Sequence, residues 1–240
     1  MWKTRSRAAP LFRLRPVLDQ TGLFMKIVAA QKILKANDQL AEENRRRFSA
    51  AGVFGVNIVG SPGCGKTTLL EALIGRFGDA LAPAVIEGDI AGSIDAERID
   101  ALGVPVVQIN TDGACHLDAQ MVNAAAGSLE LGQLGLLLIE NVGNLVCPAG
   151  FDLGEHRRIV LLSVPEGDDK IAKYPAIFRG SHALAITKID LLPHFDFSVD
   201  RVVADMRRLA PEARVFELSA KSGAGVAEIG DWLQAEVAAR

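Results

Sequence analysis

The chain has 240 residues, of which 49% are hydrophobic, 23% are charged and 5% are aromatic, with a formal net charge of −3. This composition is ordinary for a globular protein of one domain or one domain with an appendage, and it excludes a disordered or collagen-like chain. We expect no membrane span, because apolar runs such as Leu136–Ile139 are too short to cross a bilayer. We also expect a cytoplasmic protein, because three cysteines form no disulfide framework.

Charge is distributed unevenly along the chain. Residues 1–48 carry 11 Lys and Arg against 4 Asp and Glu, so the remainder is acidic, which argues against nucleic acid as a partner. Residues 1–24 are basic and lack a periodic apolar face, so we expect a disordered extension there. Two other interpretations stay open: an Arg-rich start can be a transit peptide, and Met25 is an alternative start of translation.

The rest of the chain predicts one helix followed by alternating strands and helices. Residues 25–50 are predicted to form an N-terminal helix, because apolar residues recur at near-helical spacing from Ile27 to Leu40. Residues 51–240 are predicted to form the main domain. Its expected strands are Val53–Val59, Pro83–Glu87, Val104–Ile109, Leu134–Ile139, Ile159–Val164, Ala183–Thr187 and Arg214–Leu218. Its expected helices include Thr67–Phe77, Cys115–Ala126, Val199–Leu209 and Val226–Ala239. This alternation predicts an α/β fold with a mostly parallel β-sheet flanked by helices.

A glycine-rich loop lies between the first predicted strand and the next helix. It reads Gly60-Ser61-Pro62-Gly63-Cys64-Gly65-Lys66-Thr67 and matches G-x-x-x-x-G-K-[ST] at every fixed position. Backbone N–H groups of such a loop surround phosphate oxygens at a helix N-terminus. Lys66 is expected to reach the β- and γ-phosphates and Thr67 to ligate Mg²⁺. The predicted nucleotide-binding residues of this loop are Gly60, Ser61, Gly63, Cys64, Gly65, Lys66, Thr67 and Thr68.

Two later segments indicate that the nucleotide is GTP. Thr187-Lys188-Ile189-Asp190 follows a predicted strand and resembles the N/T-K-x-D signature by which GTPases recognise guanine. An Asp carboxylate can accept hydrogen bonds from both N1–H and the 2-amino group of guanine, whereas adenine offers no such pair. Ser219-Ala220-Lys221 follows the last predicted strand and resembles the segment whose backbone amide binds guanine O6. The alternative for Lys188 and Asp190 is a solvated turn.

Acidic residues after two predicted strands are candidates for binding Mg²⁺ or the attacking water. Glu140 and Gly143 match the D-x-x-G spacing with Glu in place of Asp, and Gly143 is the expected amide contact for the γ-phosphate. Asp89 is a candidate Mg²⁺ ligand, and Asp95 a candidate for the metal or the water. The alternative for Asp95 is a first-turn position in a helix. Together with Lys66, these residues are the predicted catalytic set.

Two cysteines and a histidine form a candidate second metal site. Cys115 and His116 are predicted to begin a helix, and Cys147 lies four residues beyond Gly143. Thiolate and imidazole are ligands for Zn²⁺ and also serve Ni²⁺. Three ligands are one short of a closed tetrahedron, which a site shared by two subunits would complete. The alternative is that the cysteines are small apolar residues of the core.

These segments resemble the HypB family of hydrogenase nickel-incorporation GTPases. The resemblance covers about residues 26–238 and is carried by Cys115–Met121, Glu140–Pro148, Phe151–Glu155, Ser163–Asp169 and Lys173–Pro175. It implies a P-loop GTPase of the SIMIBI class that binds GTP and Mg²⁺ and forms a GTP-dependent homodimer. It also implies nickel delivery to the large-subunit precursor of [NiFe]-hydrogenase, with a HypA-type nickel/zinc accessory protein as a partner. By the same resemblance, Cys115, His116 and Cys147 form a Ni²⁺ or Zn²⁺ site at the dimer interface.

The chain also departs from the family. Some members carry an N-terminal cysteine-rich nickel motif or a long His-rich tract, whereas this chain has no Cys before Cys64 and has four histidines in all. We therefore expect neither nickel storage nor a high-affinity N-terminal nickel site. The alternatives are a urease-type nickel accessory GTPase, a zinc- or nickel-binding module with a structural nucleotide, and a P-loop small-molecule kinase.

Overall fold

The computed structural model describes residues 23–90, 92 and 94–239, with side chains from Ile33 onward except that of Asp79. The predicted extension therefore lies outside the described residues, apart from its last two positions. Within the described ranges, seven strands form one sheet: β1 (Phe54–Gly60), β2 (Pro83–Asp89), β3 (Val106–Asn110), β4 (Leu136–Glu140), β5 (Arg157–Ser163), β6 (Ala183–Thr187) and β7 (Arg214–Leu218). Their spatial order is β3-β2-β4-β1-β5-β6-β7, and every neighbouring pair is parallel. The predicted α/β fold with a parallel sheet is confirmed.

Helices connect most of the strands. Those of the described part are α1 (Leu23–Ala51), α2 (Lys66–Phe77), α3 (Ile94–Asp100), α4 (Ala119–Ala126), α5 (Lys170–Lys173), α6 (Pro175–Arg179), α7 (Val199–Leu209) and α8 (Val226–Ala238). Helix α7 has its predicted bounds, and α2 and α8 differ from theirs by one residue. None of the helices in the described ranges is long and apolar enough to cross a membrane.

The sheet is buried on both faces, which explains the apolar runs in its strands. Leu136 and Leu138 of β4 belong to the core that α2 and α8 cover, whereas Leu137 and Ile139 belong to the core beneath α1 and α4. All four side chains are fully buried. Successive residues of a strand point to opposite faces, so a continuous apolar run is what a sheet between two helical layers requires.

Helix α1 is attached to the rest of the domain by polar contacts, of which those of Asn44 are buried and that of Arg45 is partly exposed. The side-chain amide of the fully buried Asn44 donates to the backbone oxygens of Ala119 (2.8 Å) and Leu153 (2.9 Å). The Arg45 guanidinium donates to both carboxylate oxygens of Asp152, at 2.8 and 2.7 Å. Such bonds satisfy groups that would be costly to bury alone. The division of the chain into residues 25–50 and 51–240 stays a prediction.

The predicted helix Cys115–Ala126 is wrong at its N-terminal end. Helix α4 begins at Ala119, because the carboxylate of Asp118 accepts a hydrogen bond from the backbone N–H of Met121 (2.8 Å) and caps the helix there. Cys115 and His116 therefore lie in the loop that leads to this cap. A loop, and not a helix N-terminus, carries two of the three candidate metal ligands.

The strands near the phosphate loop end later than predicted. Strand β2 continues to Asp89 and β4 continues to Glu140, so both acids belong to strand ends. In the parallel register, Glu140 pairs with Ile58 of β1 on one side and with Glu87 of β2 on the other. Because the carboxyl ends of parallel strands share one edge of the sheet, the acids lie beside the phosphate loop.

Candidate nucleotide and metal sites

The phosphate loop joins the end of β1 to the start of α2. Gly63 and Gly65 have φ angles of 73° and 99°, a left-handed conformation that glycine adopts without strain. A Cβ atom on Gly60 would lie 2.5 Å from the Cys64 sulfur, so close packing requires glycine there too. The loop thus carries its backbone to the N-terminus of α2, where the N–H groups and the helix dipole favour phosphate.

Lys66, Thr67 and Glu140 form a buried polar group beneath this loop. The Thr67 hydroxyl donates to Glu140 Oε1 (2.9 Å), and Lys66 Nζ lies 3.9 Å from the same oxygen. Burial raises the pKa of Glu140 to about 7, although Lys66 and the Thr67 bond act in the opposite direction. Glu140 Oε2 is buried with no hydrogen-bond partner among the described residues, so it can still bind a cation or a donor.

A second buried carboxylate, Glu87, faces the same pocket and was missed by sequence reasoning. It is 2% exposed, and its Oε2 also has no hydrogen-bond partner within the described ranges. Burial, and then the charges of Glu140 and Asp89, raise the pKa of Glu87 to about 8. Carboxylate oxygens that have no hydrogen-bond partner among the described residues, in one cavity with the Thr67 hydroxyl, are a donor set that fits a hard divalent cation such as Mg²⁺. The available signal was the i, i+2 spacing of Glu87 and Asp89, which puts both on one strand face.

A cavity of about 400 Å³ opens between the phosphate loop and the ends of β2 and β4, and Asp89, Asp95 and Gly143 line it. The Asp89 carboxylate accepts hydrogen bonds from the backbone N–H groups of Ile90 (2.7 Å) and Gly92 (2.9 Å). It therefore holds its own loop at the rim of the cavity. The structure brings Asp89 together with Lys66 and Thr67, which line the same cavity.

Asp95 lies in the first turn of α3. This is the position that the alternative to a metal or water ligand predicted. Its carboxylate pairs with Arg98 (3.0 Å), and Arg98 also pairs with Glu71 of α2 (2.6 Å). Arg98 lines the cavity and was not predicted. Asp95 and Arg98 are therefore engaged with each other at the edge of the phosphate cavity.

An adjoining cavity of about 360 Å³ brings the predicted guanine-recognition residues together. Its lining includes Lys188, Asp190, Ser219, Ala220 and Lys221. Lys188 has a φ of 59°, and its Nζ donates to the backbone oxygen of Gly63 (2.6 Å), so the base cavity is attached to the phosphate loop. A left-handed conformation is uncommon for a residue with a side chain and is a feature of functional loops.

Cys64 contributes its backbone to the site, while its thiol belongs to the core. The side chain is fully buried, and burial raises its pKa to about 12, so the thiolate does not form at neutral pH. The Cys64 backbone oxygen accepts a hydrogen bond from the Thr187 hydroxyl (2.7 Å). This bond is a second connection between the phosphate loop and the end of β6.

Cys115, His116 and Cys147 converge on one point outside the nucleotide cavities. Their potential ligand atoms lie within 4.8 Å of one another, and all three residues are half-buried. Partial burial lowers the pKa of His116, which favours the neutral imidazole that binds metals, and the ring packs against Phe151 at 4.0 Å between centroids. Hydrogen bonding to Cys147 raises the pKa of the Cys115 thiol. The three residues together fit a borderline-soft ion such as Zn²⁺ or Ni²⁺.

One short segment connects the two sites. The linking segment, residues 140–147, begins with Glu140 in the phosphate cavity and ends with Cys147 in the metal cluster. A Cβ atom on Gly143 would lie 2.9 Å from Pro62 N, so the segment packs directly on the phosphate loop. Sequence reasoning missed the two asparagines of this segment, Asn141 and Asn144, whose side chains bind the loop that carries Cys115. Their position as polar residues directly after a strand end could have indicated them.

The parallel sheet, the phosphate loop and the acids at the adjoining strand ends define a nucleotide-hydrolysing P-loop protein. A family model described as the CobW/HypB/UreG nucleotide-binding domain matches residues 55–217. Hydrogenase maturation factor HypB of Azotobacter chroococcum mcd 1 is 51% identical over 225 residues, which cover 94% of this chain and 73% of that protein. Hydrogenase/urease maturation factor HypB of Helicobacter hepaticus is 43% identical over 212 residues, which cover 87% of each.

A solved structure supports the same assignment. The crystal structure of HypB from Helicobacter pylori in complex with nickel matches with a TM-score of 0.81 and 42% identity, covering 84% of this chain and 95% of that chain. The chain therefore belongs to the HypB family of hydrogenase maturation factors, and the resemblance stated from its sequence is confirmed.

Proposed function

We propose that this protein is a GTP-hydrolysing metallochaperone that assists the insertion of nickel into the large subunit of [NiFe]-hydrogenase. The observation that carries the proposal is the linking segment, which begins in the phosphate cavity and ends at the Cys115, His116 and Cys147 cluster. Membership of the HypB family supports it, because relatives are named hydrogenase maturation factors and one solved relative is in complex with nickel.

Hydrolysis would use the buried groups of the phosphate cavity. Lys66 would contact the β- and γ-phosphates and balance the charge that develops on them. The Gly143 N–H would donate to the γ-phosphate, a role that its close packing on Pro62 supports. Asp95 would orient the attacking water and accept its proton, after the carboxylate separates from Arg98.

Thr67 and Asp89 would hold Mg²⁺, with the Glu140 carboxylate beside them. When bound, Mg²⁺ supplies charge neutralisation at the phosphates. The support for this site is a pair of buried carboxylate oxygens, Glu87 Oε2 and Glu140 Oε2, that have no hydrogen-bond partner in the part of the chain that the structure describes. The Thr67 hydroxyl, which donates to Glu140 in the described structure, would instead turn its oxygen to the ion.

Guanine would bind in the cavity between Lys188 and Ala220. The Asp190 carboxylate would accept from N1–H and the 2-amino group, and the Ala220 N–H would donate to O6. Both residues line the cavity that adjoins the phosphate loop, which supports GTP over ATP. The contact of Lys188 with Gly63 would let the phosphate loop respond to the base.

The metal site would be completed by a second copy of the chain. Three ligands leave a tetrahedral ion one ligand short, and half-buried ligand side chains can be reached by a partner. Val146, beside Cys147, is an apolar side chain that is 60% exposed, which suits a contact surface. We propose a GTP-dependent homodimer that exchanges nickel with a HypA-type accessory protein and the hydrogenase large-subunit precursor.

GTPase assays and size-exclusion chromatography of the purified protein, with and without nickel and GTP, test this proposal. We expect GTP hydrolysis, preference for GTP over ATP, stoichiometric nickel binding and a dimer favoured by GTP. Binding of ATP with the affinity of GTP would overturn the guanine assignment. Nickel binding unaffected by replacement of Cys147 would overturn the metal site.

A urease-type client is the second candidate, because the Helicobacter hepaticus relative is named for both hydrogenase and urease maturation. Nickel-loaded protein mixed with each apo-enzyme separates the two, since only the true client gains nickel-dependent activity. We expect activation of hydrogenase. Activation of urease alone would replace the hydrogenase assignment without affecting the GTPase or metal sites.

A further inference from the structure

Asn144 is bound to the phosphate loop through its backbone. Its N–H donates to the backbone oxygen of Gly60, the first glycine of that loop, at 2.9 Å. The residue directly follows Gly143, which packs against Pro62. Any movement of Gly143 toward a bound γ-phosphate therefore acts on Asn144 first.

The side chain of Asn144 bonds to both of the segments that carry the cysteines. Its Nδ2 donates to the backbone oxygen of Cys115 (3.3 Å). Its Oδ1 accepts from the backbone N–H of Val146 (2.7 Å) and from that of Cys147 (3.4 Å). One carboxamide thus sets the position of Cys115 relative to Cys147, although the two are far apart in sequence.

Asn141, the other asparagine of the linking segment, has a different role. It is 1% exposed, and its Oδ1 accepts from the backbone N–H of Leu117 (3.0 Å). Leu117 in turn packs tightly beneath Gly88 at the end of β2. Asn141 therefore attaches the metal-ligand loop to the sheet, whereas the half-buried Asn144 bonds the phosphate loop and the backbone of both cysteines.

We propose that Asn144 is the positioning residue that couples nucleotide state to metal affinity. The inference rests on the proposed function, because it requires both a γ-phosphate contact at Gly143 and a metal at Cys115 and Cys147. Displacement of Asn144 from Gly60 changes the separation of the two cysteine backbones, and with it the geometry offered to the ion. Coupling of this kind is reciprocal, so the metal changes nucleotide affinity by the same factor.

The test compares nickel affinity in two nucleotide states, by competition with a chromophoric chelator, for protein loaded with GDP or with a non-hydrolysable GTP analogue. In the unmodified chain we expect the two affinities to differ by at least about fivefold. In Asn144→Ala the ratio should fall below about twofold. Asn144→Ser should give an intermediate ratio, because its hydroxyl can accept from Val146 N but is too short to reach Cys115 O.

Asn110→Ala is the matched control. Asn110 is the last residue of β3, and its Oδ1 accepts from Asp112 N (3.0 Å), a turn bond of the same kind at the start of the loop that leads to Cys115. This variant should keep the ratio of the unmodified chain. The affinity of the GTP analogue with and without nickel is the reciprocal readout, and it should lose its nickel dependence only when Asn144 is replaced.

The outcomes separate coupling from a structural role. If Asn144 only supports the fold, both variants at this position lower nickel affinity equally in the two nucleotide states and keep the ratio, which overturns the inference. A ratio of one in the unmodified chain also overturns it and leaves the proposed function intact. An unmodified chain that binds no stoichiometric nickel, or that does not hydrolyse GTP, overturns the proposed function and this inference together.

Discussion

The nucleotide pocket and the metal cluster differ in how their chemical groups are held. Lys66, Thr67 and Glu140 are buried at the ends of regular elements and bond to one another. Cys115 and Cys147 are half-buried, and the structure places Cys115 in a loop. The pocket groups are therefore held by regular elements, whereas the cluster offers three half-buried ligands.

This difference has a consequence for how each site can respond. Buried charges on a packed sheet have little freedom, so the pocket is preorganised for phosphate. Loop residues held by a few hydrogen bonds can shift by fractions of an ångström at small cost, which suits a site that must also release its ion. A rigid site next to an adjustable one is the arrangement that the proposed coupling of nucleotide state to metal affinity requires.

The largest expected effect is the loss of metal binding on replacing a ligand. In Cys115→Ala and in Cys147→Ala we expect nickel affinity to fall by at least about a hundredfold, more than the loss of an outer-shell partner usually costs. GTP affinity should stay within about twofold, because the hydrogen bonds described in the phosphate cavity involve neither thiol. Isothermal titration calorimetry with nickel and, separately, with GTP measures both.

Cys64→Ala is the control for these variants. Its thiol is buried in the core and has a pKa of about 12, so nickel affinity should not change. A requirement for Cys64 together with dispensability of Cys147 would contradict the site.

Nickel affinity of the unmodified chain should also fall as the pH is lowered, because the ligand thiols must lose protons and the pKa of Cys115 is raised.

The second effect tests whether the pocket is independent of the cluster. Lys66→Ala removes a charge-assisted phosphate contact worth about 1.5–3 kcal/mol, so GTP affinity should fall at least about tenfold. Nickel affinity without nucleotide should be unchanged. Lys173→Ala, which alters an exposed pair with Asp169, is the control and should retain GTP affinity. Loss of nucleotide-free nickel binding in Lys66→Ala would mean that the two sites are not separate.

Base recognition should change by a smaller factor. Asp190→Asn should weaken GTP binding by about tenfold and improve binding of xanthosine triphosphate, because the amide donates to the additional carbonyl of xanthine. Asp196→Asn, at an exposed loop position, should leave both affinities unchanged. Competition against a fluorescent guanine nucleotide measures the preference. An unaltered ratio of GTP to xanthosine triphosphate in Asp190→Asn would show that Asp190 does not contact the base.

Most of the nucleotide pocket was predictable because its residues have fixed spacings from strand ends. The phosphate loop, Thr187–Asp190 and Ser219–Lys221 each follow an apolar run, and parallel strands bring such ends together. The start of α4 was also predictable in principle, since Asp118 is a capping residue. The predicted start at Cys115 was too early, because Leu117 precedes the cap and is buried against the end of β2.

The metal cluster's supports were not predictable in the same way. Asn144 acts through bonds to Gly60 and Cys115, which lie far from it in sequence, so no local spacing indicates them. Glu87 lies within β2, and only the register with Glu140 on the neighbouring strand places the two carboxylates side by side. Contacts that depend on three separate segments require the folded chain.

The smallest expected effect is a pH dependence of stability in the nucleotide-free protein. The pKa values of Glu87 and Glu140 are raised to about 8 and about 7 in the folded chain, from 4.5 in an unperturbed glutamate. The folded state therefore holds these protons more tightly than the unfolded state. Their stabilising contribution is fully present below pH 4.5 and is lost as the pH rises through 7 and then 8.

Thermal unfolding at pH 6 and at pH 8.5, with the metal cluster left unloaded, measures this loss. We expect the melting temperature to fall by about 2–4 °C more in the unmodified chain than in Glu87→Gln, because the amide cannot ionise. Glu212→Gln, at an exposed position, should behave like the unmodified chain. Mg²⁺ and GDP should reduce the fall, since a cation beside Glu140 compensates the buried charge. An equal fall of the melting temperature in Glu87→Gln and in the unmodified chain would mean that the Glu87 carboxylate is not held protonated in the pocket. The pocket would then accommodate its charges without a cation.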